Sequence, residues 1–298
     1  LDFKTLGLEH IDLLRPYFAR NLCRICDCTI GGTFIWRDLF GTEFAIVDDI
    51  LYLKVKYLTG DIAFTPPRGD PCAEKEAYDR IVRYCRENGC VPRLCAVSEN
   101  RLEKIKALYP GARAVTDKAW SDYLYLSDDI KNLAGRHYSG QRNHINKFLR
   151  EYPDWRFDRL DAANLGELRD FFARYAQEHI NEYPDYPAYI EGNFKTLEVL
   201  DNNDKYAMLG GMLRLNGQIV GASLGEVIGD TLFIHIEKSR TEFLGSYPML
   251  VNQFAKMFAT GDITHINREE DDGVEGLRTS KLSYHPTALL DKYVVELI

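Results

Sequence analysis

Five carboxylates, three cations and two glycines crowd one stretch near the C-terminus: Asn267-Arg268-Glu269-Glu270-Asp271-Asp272-Gly273-Val274-Glu275-Gly276-Leu277-Arg278-Thr279-Ser280-Lys281-Leu282-Ser283-Tyr284. Acids held close together raise the pKa of at least one of them, which suits a general base. Cations beside them can hold a carboxylate, a phosphate or a developing oxyanion. The glycines permit sharp turns, so the two signs can fold back on each other. A base beside a cation can deprotonate a nucleophile and steady the negative charge that its attack creates. Glu269, Glu270 and Asp271 are the candidate bases, and Arg268, Arg278 and Lys281 the candidate clamps. The competing reading is a salt-bridged loop that ties two halves of the chain together.

Other residues could join that chemistry. His235 and Glu237 alternate with Ile234 and Ile236, so the polar pair shares one face of a strand. The ordinary imidazole pKa suits a base, although a lone histidine serves as well in packing. Tyr247, close to a helix start, is either a proton donor to a leaving group or a packed aromatic. Between Lys131 and Arg150 lie five cations and no acid, with Tyr138 and Phe148 among them. Such a stretch is a track for RNA phosphates with stacking rings, or an ordinary solvated helix. Cys23, Cys26 and Cys28 form a C-x-x-C-x-C cluster, but no second Cys or His pair follows at finger-like spacing. Reduced, mostly buried thiols are expected, and no metal.

These groups must be held by a core, and the composition supplies one. The chain has 298 residues, of which 45% are hydrophobic and 28% charged, with a net charge of -8. That excludes a disordered chain and argues against a protein that coats nucleic acid. No apolar run approaches the ~20 residues of a membrane span. Leu1-Asp2-Phe3-Lys4 shows no signal-peptide pattern, so a cytoplasmic location is expected.

The elements read as follows. Phe44–Val47 and Leu51–Val55 make a hairpin around Asp48-Asp49, and Ile62–Thr65 a further strand. Asp70-Pro71 opens a helix that stops near Gly89, followed by a strand at 93–97, a helix at 100–108 and a closing strand at 120–126. In the second half, a helix near 165–175 precedes a Tyr- and Pro-rich loop at 183–187. A hairpin turned by Asn216-Gly217 follows, then a strand at 231–237 and a break at Gly245-Ser246 into an apolar helix. A strand at 263–266, the charged stretch and a last strand near 293–297 complete the chain. Both halves repeat one order of elements with little shared identity. The expected organisation is therefore two tandem α/β (α+β) domains, each a mixed sheet flanked by helices. The expected bounds are 1–130 and 154–298, joined by a basic bridge at 131–153.

That order resembles the GCN5-related N-acetyltransferase fold in tandem. Arg142-Asn143-x-Ile145-Asn146-x-Phe148 with Tyr152 carries the likeness further. So does Arg268-Glu-Glu-Asp271-x-Gly273-x-Glu275-Gly276-Leu277-Arg278-x-x-Lys281-x-Ser283-Tyr284-x-Pro286. Together they resemble a bacterial family related to the C-terminal domain of phosphatidylglycerol lysyltransferase, and more distantly to the Fem aminoacyltransferases. The resemblance implies transfer of an acyl or aminoacyl group to an amine or hydroxyl of a small molecule, lipid headgroup or peptide. Acyl-CoA or aminoacyl-tRNA would be the donor, tRNA a partner, and no cofactor would be permanently bound. It also implies that a helix N-terminus faces the donor's pyrophosphate. Arg240-Thr-Glu-Phe-Leu-Gly245-Ser246-Tyr247 is a loose form of that loop, so Arg240, Gly245 and Ser246 are the donor-side candidates. Arg142, Asn143, Glu237, Arg268, Arg278, Lys281 and Tyr284 are the substrate-side candidates. A non-catalytic module that keeps the cleft for ligand binding, and a structural protein built on the same fold, are the alternatives.

Overall fold

A computed structural model describes residues 1–20, 23–57, 59–179 and 187–298. It contains two seven-stranded mixed sheets. The first comprises β1 (Lys4–Thr5), β2 (Glu43–Val47), β3 (Ile50–Lys56), β4 (Ile62–Phe64), β5 (Arg93–Ser98), β6 (Arg113–Thr116) and a strand from the far end of the chain, β14 (Lys292–Glu296). The second comprises β7 (Asp122–Leu126), β8 (Arg156–Arg159), β9 (Leu209–Leu215), β10 (Gln218–Ile228), β11 (Thr231–Ser239), β12 (His265–Asn267) and β13 (Ala288–Leu290). Their orders are β1-β2-β3-β4-β5-β14-β6 and β13-β7-β12-β11-β10-β9-β8.

Local chemistry accounts for much of this. Asp48 and Asp49 take φ of 52° and 56°, and Asn216 and Gly217 take 49° and 82°, the left-handed pairs that tight hairpins require. Asp70 Oδ1 accepts from the Cys72 N–H at 2.9 Å, and Gly89 ends the Glu74–Asn88 helix at φ 66°. That helix buries Ala77, Tyr78, Ile81 and Cys85 against Tyr52, Phe64, Leu94 and Val295 to form the core of the first unit. In the second unit the Ser246–Phe258 helix buries Met249, Leu250, Val251, Phe254 and Phe258 over the sheet.

The chain divides into Leu1–Asp122 with Glu270–Val274 and Leu289–Ile298, and Tyr123–Glu269 with Glu275–Ala288. This differs from bounds at 130 and 154, because each half gives a strand away. β7, expected to close the first sheet, pairs with β12 in the second. β14, expected in the second, runs between β5 and β6 in the first. The basic bridge is no separate linker: its Ser139–Glu151 helix belongs to the second unit. The charged stretch is partly helical, over Glu275–Leu282. The loop expected at 183–187 falls, apart from Pro187, outside the described residues. No helix among the described residues is long and apolar enough to cross a membrane.

Candidate functional site

In the second unit β11 and β12 run parallel through Thr231↔His265, Leu232↔Ile266 and Phe233↔Asn267, and there the ladder stops. A crevice past the carboxyl ends of parallel strands is where open α/β sheets bind ligands. His235 and Glu237 continue one strand at this point, and Arg268 and Glu269 follow the other.

Arg268 Nη2 donates to Glu237 Oε1 at 2.6 Å, with the two side chains 8% and 12% exposed. Glu237 Oε2 and Arg268 Nη1 are buried and have no partner among the described residues. Each such atom costs about 1–3 kcal/mol, so a matched pair left open calls for a functional reason. The guanidinium lies 4.9 Å from the centre of the Tyr284 ring and 5.9 Å from that of Tyr125. Burial alone would lower its pKa, but Glu237 and the two phenols raise it above the usual value, so Arg268 stays charged. Tyr247 joins them. Burial and then the charge of Glu237 hold its phenol above the ordinary value. Tyr284 is 4% exposed, and burial raises its pKa too.

His235 sits beside this pair at a β-bulge. The register of β10 slips from Leu224↔Ile236 to Gly225↔Ile234, which leaves His235 as the extra residue. Gly225 makes room, since a Cβ there would lie 2.2 Å from the Phe233 carbonyl oxygen. The imidazole contacts Glu269 Oε1 through Nδ1 at 2.7 Å and Glu226 Oε1 through Nε2 at 3.0 Å. Burial would lower its pKa, but the two carboxylates outweigh burial and hold it at about 10. A charged imidazole with both nitrogens engaged holds two acids in place; it is not poised to take a proton. Glu226 had no part in the sequence reading, yet a lone acid in an apolar strand was the signal for it.

The other candidates scatter. Lys281 Nζ donates to the Arg268 and Glu269 carbonyls at 2.6 and 3.2 Å, bracing the loop instead of facing a donor. Arg278 pairs with Glu275 at 3.9 Å along its own helix. Asp271 is fully buried, and its Oδ1 accepts from the Gly273 N–H at 2.8 Å, a turn contact. Glu270 falls in the first unit, where Lys292 Nζ lies 2.8 Å from it, 2.7 Å from Asp122 and 2.8 Å from Asp27. Cys26 Sγ is 3.1 Å from the same ammonium. Cys26, Asp122 and Glu270 are spaced as a metal donor set would be, within 4.8 Å of one another. The lysine ammonium stands within reach of all three. Burial would raise the pKa of Glu270, but Lys292 overrides it and holds the group at about 2. The three adjacent acids therefore separate, because a left-handed turn at Glu269 (φ 57°) sends successive side chains apart.

On the donor side, the Ser246 N–H bonds to the Phe243 carbonyl and the Met249 N–H to that of Gly245. Pro248 between them has no N–H. The first turn therefore offers a pyrophosphate few donors. Gly245, at φ 88°, serves close packing instead: a Cβ there would lie 2.4 Å from the His144 carbonyl oxygen. Ser246 Oγ donates to the Arg240 carbonyl at 2.8 Å, and Arg240 pairs with Glu178 at 2.8 Å and Glu242 at 3.2 Å. Arg142 Nη1 donates to the carbonyls of Leu133 and Gly135, capping the Ser127–Asn132 helix, while Asn143 is exposed. A surface groove of about 460 Å³ in this unit, lined by Trp155, Asp158, Gln253 and Met257 among others, includes none of the candidates.

The chain is similar to several known proteins. It matches an uncharacterized protein of Mycoplasmoides gallisepticum at 26% identity over 200 residues, 66% of this chain and 62% of that protein's length. A conserved protein of unknown function from Bacteroides thetaiotaomicron superimposes over all of both chains with a TM-score of 0.91 at 29% identity. The C-terminal domain of a putative lysylphosphatidylglycerol synthetase from Agrobacterium fabrum superimposes with a TM-score of 0.70 at 13% identity, over 97% of this chain and 92% of that one. An acetyltransferase of the GNAT family from Colwellia psychrerythraea shares the fold at a TM-score of 0.50 and 10% identity, over all of both chains. The expected tandem acyltransferase fold is thus found. Residues 23–296 match the model of the phosphatidylglycerol lysyltransferase C-terminal family, and the chain belongs to that family.

Proposed function

We propose that the chain is an aminoacyltransferase working through Glu237, Arg268 and Tyr247. The observation that carries this reading is the open oxygen of Glu237 beside the open N–H of Arg268, both buried where β11 and β12 part. An aminoacyl ester meeting a hydroxyl or amine acceptor needs both atoms. The acceptor attacks the ester carbonyl carbon, and Glu237 Oε2 takes its proton. Arg268 Nη1 donates to the oxyanion in a dry site, where such a bond is strongest. As the oxyanion collapses and the ester C–O bond breaks, Tyr247, whose raised pKa keeps its proton on at neutral pH, gives that proton to the leaving oxygen, and the proton held by Glu237 restores it. Aminoacyl-tRNA fits as donor better than acyl-CoA, since the first turn of the Ser246–Phe258 helix offers a pyrophosphate few donors. That same turn favours the second reading, a ligand-binding module without catalysis.

Titration with acyl-CoAs, charged tRNA and uncharged tRNA, followed by transfer from labelled aminoacyl-tRNA to amine and hydroxyl acceptors, tests the proposal. Transfer that Glu237→Gln abolishes supports it. Binding of charged tRNA with no transfer to any acceptor would favour the module, and stabilisation by acyl-CoA alone would overturn the choice of donor.

A further inference from the structure

Residues 155–158 form one wall of the groove of about 460 Å³ in the second unit. Consecutive side chains of a strand point to opposite faces, so neighbours can all line one groove only where it follows the strand's edge. β8 is such an edge: it ends the sheet order, and β9 is its one neighbour among the described residues. Gln253, Lys256 and Met257 form the opposite wall, spaced one turn apart on the Ser246–Phe258 helix. An edge strand that faces a helix across a groove leaves room for one more strand.

The backbone of β8 has bonds to offer on that side. Leu160 N–H donates to the Gly210 carbonyl at 2.8 Å, and the ladder runs on without a slip through Asp158↔Met212 and Arg156↔Arg214. Hydrogen-bonded pairs alternate in an antiparallel ladder, so Phe157 and Arg159 turn their N–H and carbonyl groups away from β9. Asn164 Nδ2 donates to the Arg159 carbonyl at 2.9 Å, and the Trp155 N–H turns back to the Tyr152 carbonyl at 3.3 Å. Among the described residues, that leaves both backbone groups of Phe157 and the Arg159 N–H facing outward. The side chains set the chemistry. Trp155 and Phe157 are half-buried against the cluster under the helix, and Met257 packs beside it. Arg156 and Lys256 are exposed, whereas Asp158, the acid of the groove, lies 2.6 Å from Arg214 Nε. On a chain of net charge -8 this groove is cationic. A second copy fits it badly: two-fold antiparallel pairing of β8 about Phe157 and Asp158 would set Arg156 opposite Arg159, like against like.

We propose that the groove binds an extended acidic segment of a partner protein, which adds as a further strand outside β8. Apolar side chains at alternate positions lie over Trp155, Phe157 and Met257, and carboxylates meet Arg156 and Lys256. The site stands apart from Glu237 and Arg268, because β9 and β10 separate β8 from β11 by roughly 14 Å of sheet.

The experiment titrates the intact protein into a fluorescein-labelled hexapeptide amide that alternates valine and glutamate, read by anisotropy at low and high salt. Amide hydrogen exchange over residues 153–160 is followed with and without the unlabelled peptide. Binding with Kd below about 1 mM, weakened by salt and accompanied by slower exchange at Phe157, is expected. Arg156→Gln and Lys256→Gln should each weaken it by about three- to fivefold. Alternate N–H groups of the added strand face β8, so N-methylation of either the valines or the glutamates should abolish binding while the other pattern is tolerated. Binding indifferent to both methylation patterns, or none below about 1 mM, would overturn the proposal. So would a hexauridine RNA that binds more tightly than the peptide and slows the same amides, or a dimer of the chain that protects them.

Discussion

Glu237 and Arg268 share one hydrogen bond of 2.6 Å and hold back one polar atom apiece, Oε2 and Nη1, from every other described residue. A purely structural ion pair in so dry a place would fill both ends of the fork. Glu237→Gln keeps the volume and the contact to Arg268 but removes the base. It should lower transfer about 100-fold or more and, because a hydrogen bond to Arg268 and the side-chain volume remain, cost clearly less stability than truncation. Glu237→Ala should instead lower stability by about 3–5 kcal/mol, since it strands a buried cation. Equal stability losses in the two variants would mark the pair as structural.

The His235 triad makes a prediction in pH. Its folded pKa of about 10 lies above the unfolded value of about 6.5. The folded state therefore binds more protons across that window. The stability contributed by the triad is complete below about pH 6.5 and is lost as pH rises toward 10. Urea midpoints should fall between about pH 7 and pH 9.5 in the wild type and fall much less in His235→Gln. A slope unchanged by the substitution would assign the titration to another group.

Lys292 answers Asp27, Asp122 and Glu270 at once, at 2.8, 2.7 and 2.8 Å. In the wild type Glu270, held at about 2, contributes stability that is present above its unfolded value of about 4.3 and lost as pH falls toward 2. Lys292→Met removes the shared cation and should cost about 3–5 kcal/mol at neutral pH. Burial already raises Asp122 to about 7 in the wild type against the pull of Lys292; without the ammonium Asp122 rises further and Glu270 rises too, so the variant's deficit should shrink as pH falls toward about 5. Denaturant titrations at the two pH values test this; a deficit that does not shrink in acid would mean the loss is one of packing.

Gly245 separates a packing role from a ligand cradle. With φ at 88° and the His144 carbonyl oxygen 2.4 Å from any added Cβ, Gly245→Ala should destabilise by about 1–3 kcal/mol. That loss should persist whether or not a donor is present. A variant of normal stability that fails only to bind the donor would restore the pyrophosphate reading.

What the sequence made legible was local. Asp48-Asp49, Asn216-Gly217, Asp70-Pro71 and Gly89 state their turns and caps in their own chemistry, and the structure follows them. His235 and Glu237 were visible because alternation along a strand puts them together. The partners that give them meaning were not. Glu226 reaches His235 across a bulge, and Lys292 reaches Cys26 across 266 residues of sequence. The exchange of β7 and β14 between sheets escaped for the same reason, since a strand's own residues do not name its neighbour. The run Glu269-Glu270-Asp271 looked like one site because adjacency in sequence is easy to mistake for convergence in space.

The basic stretch divides by burial. Arg142 is spent on the carbonyls of Leu133 and Gly135, whereas Arg136 and Arg150 are exposed and Lys147 lies 3.7 Å from Glu151. If tRNA is the donor, the exposed cations are the ones that would release counterions from its phosphates. Arg136→Gln and Arg150→Gln should each weaken binding and lower the slope of log affinity against log salt by about 1. Arg142→Gln should act through stability, lowering the melting temperature without a specific change in that slope. Salt-dependent titrations of the three variants decide the matter, and slopes identical to wild type at Arg136 and Arg150 would leave the stretch a solvated helix face.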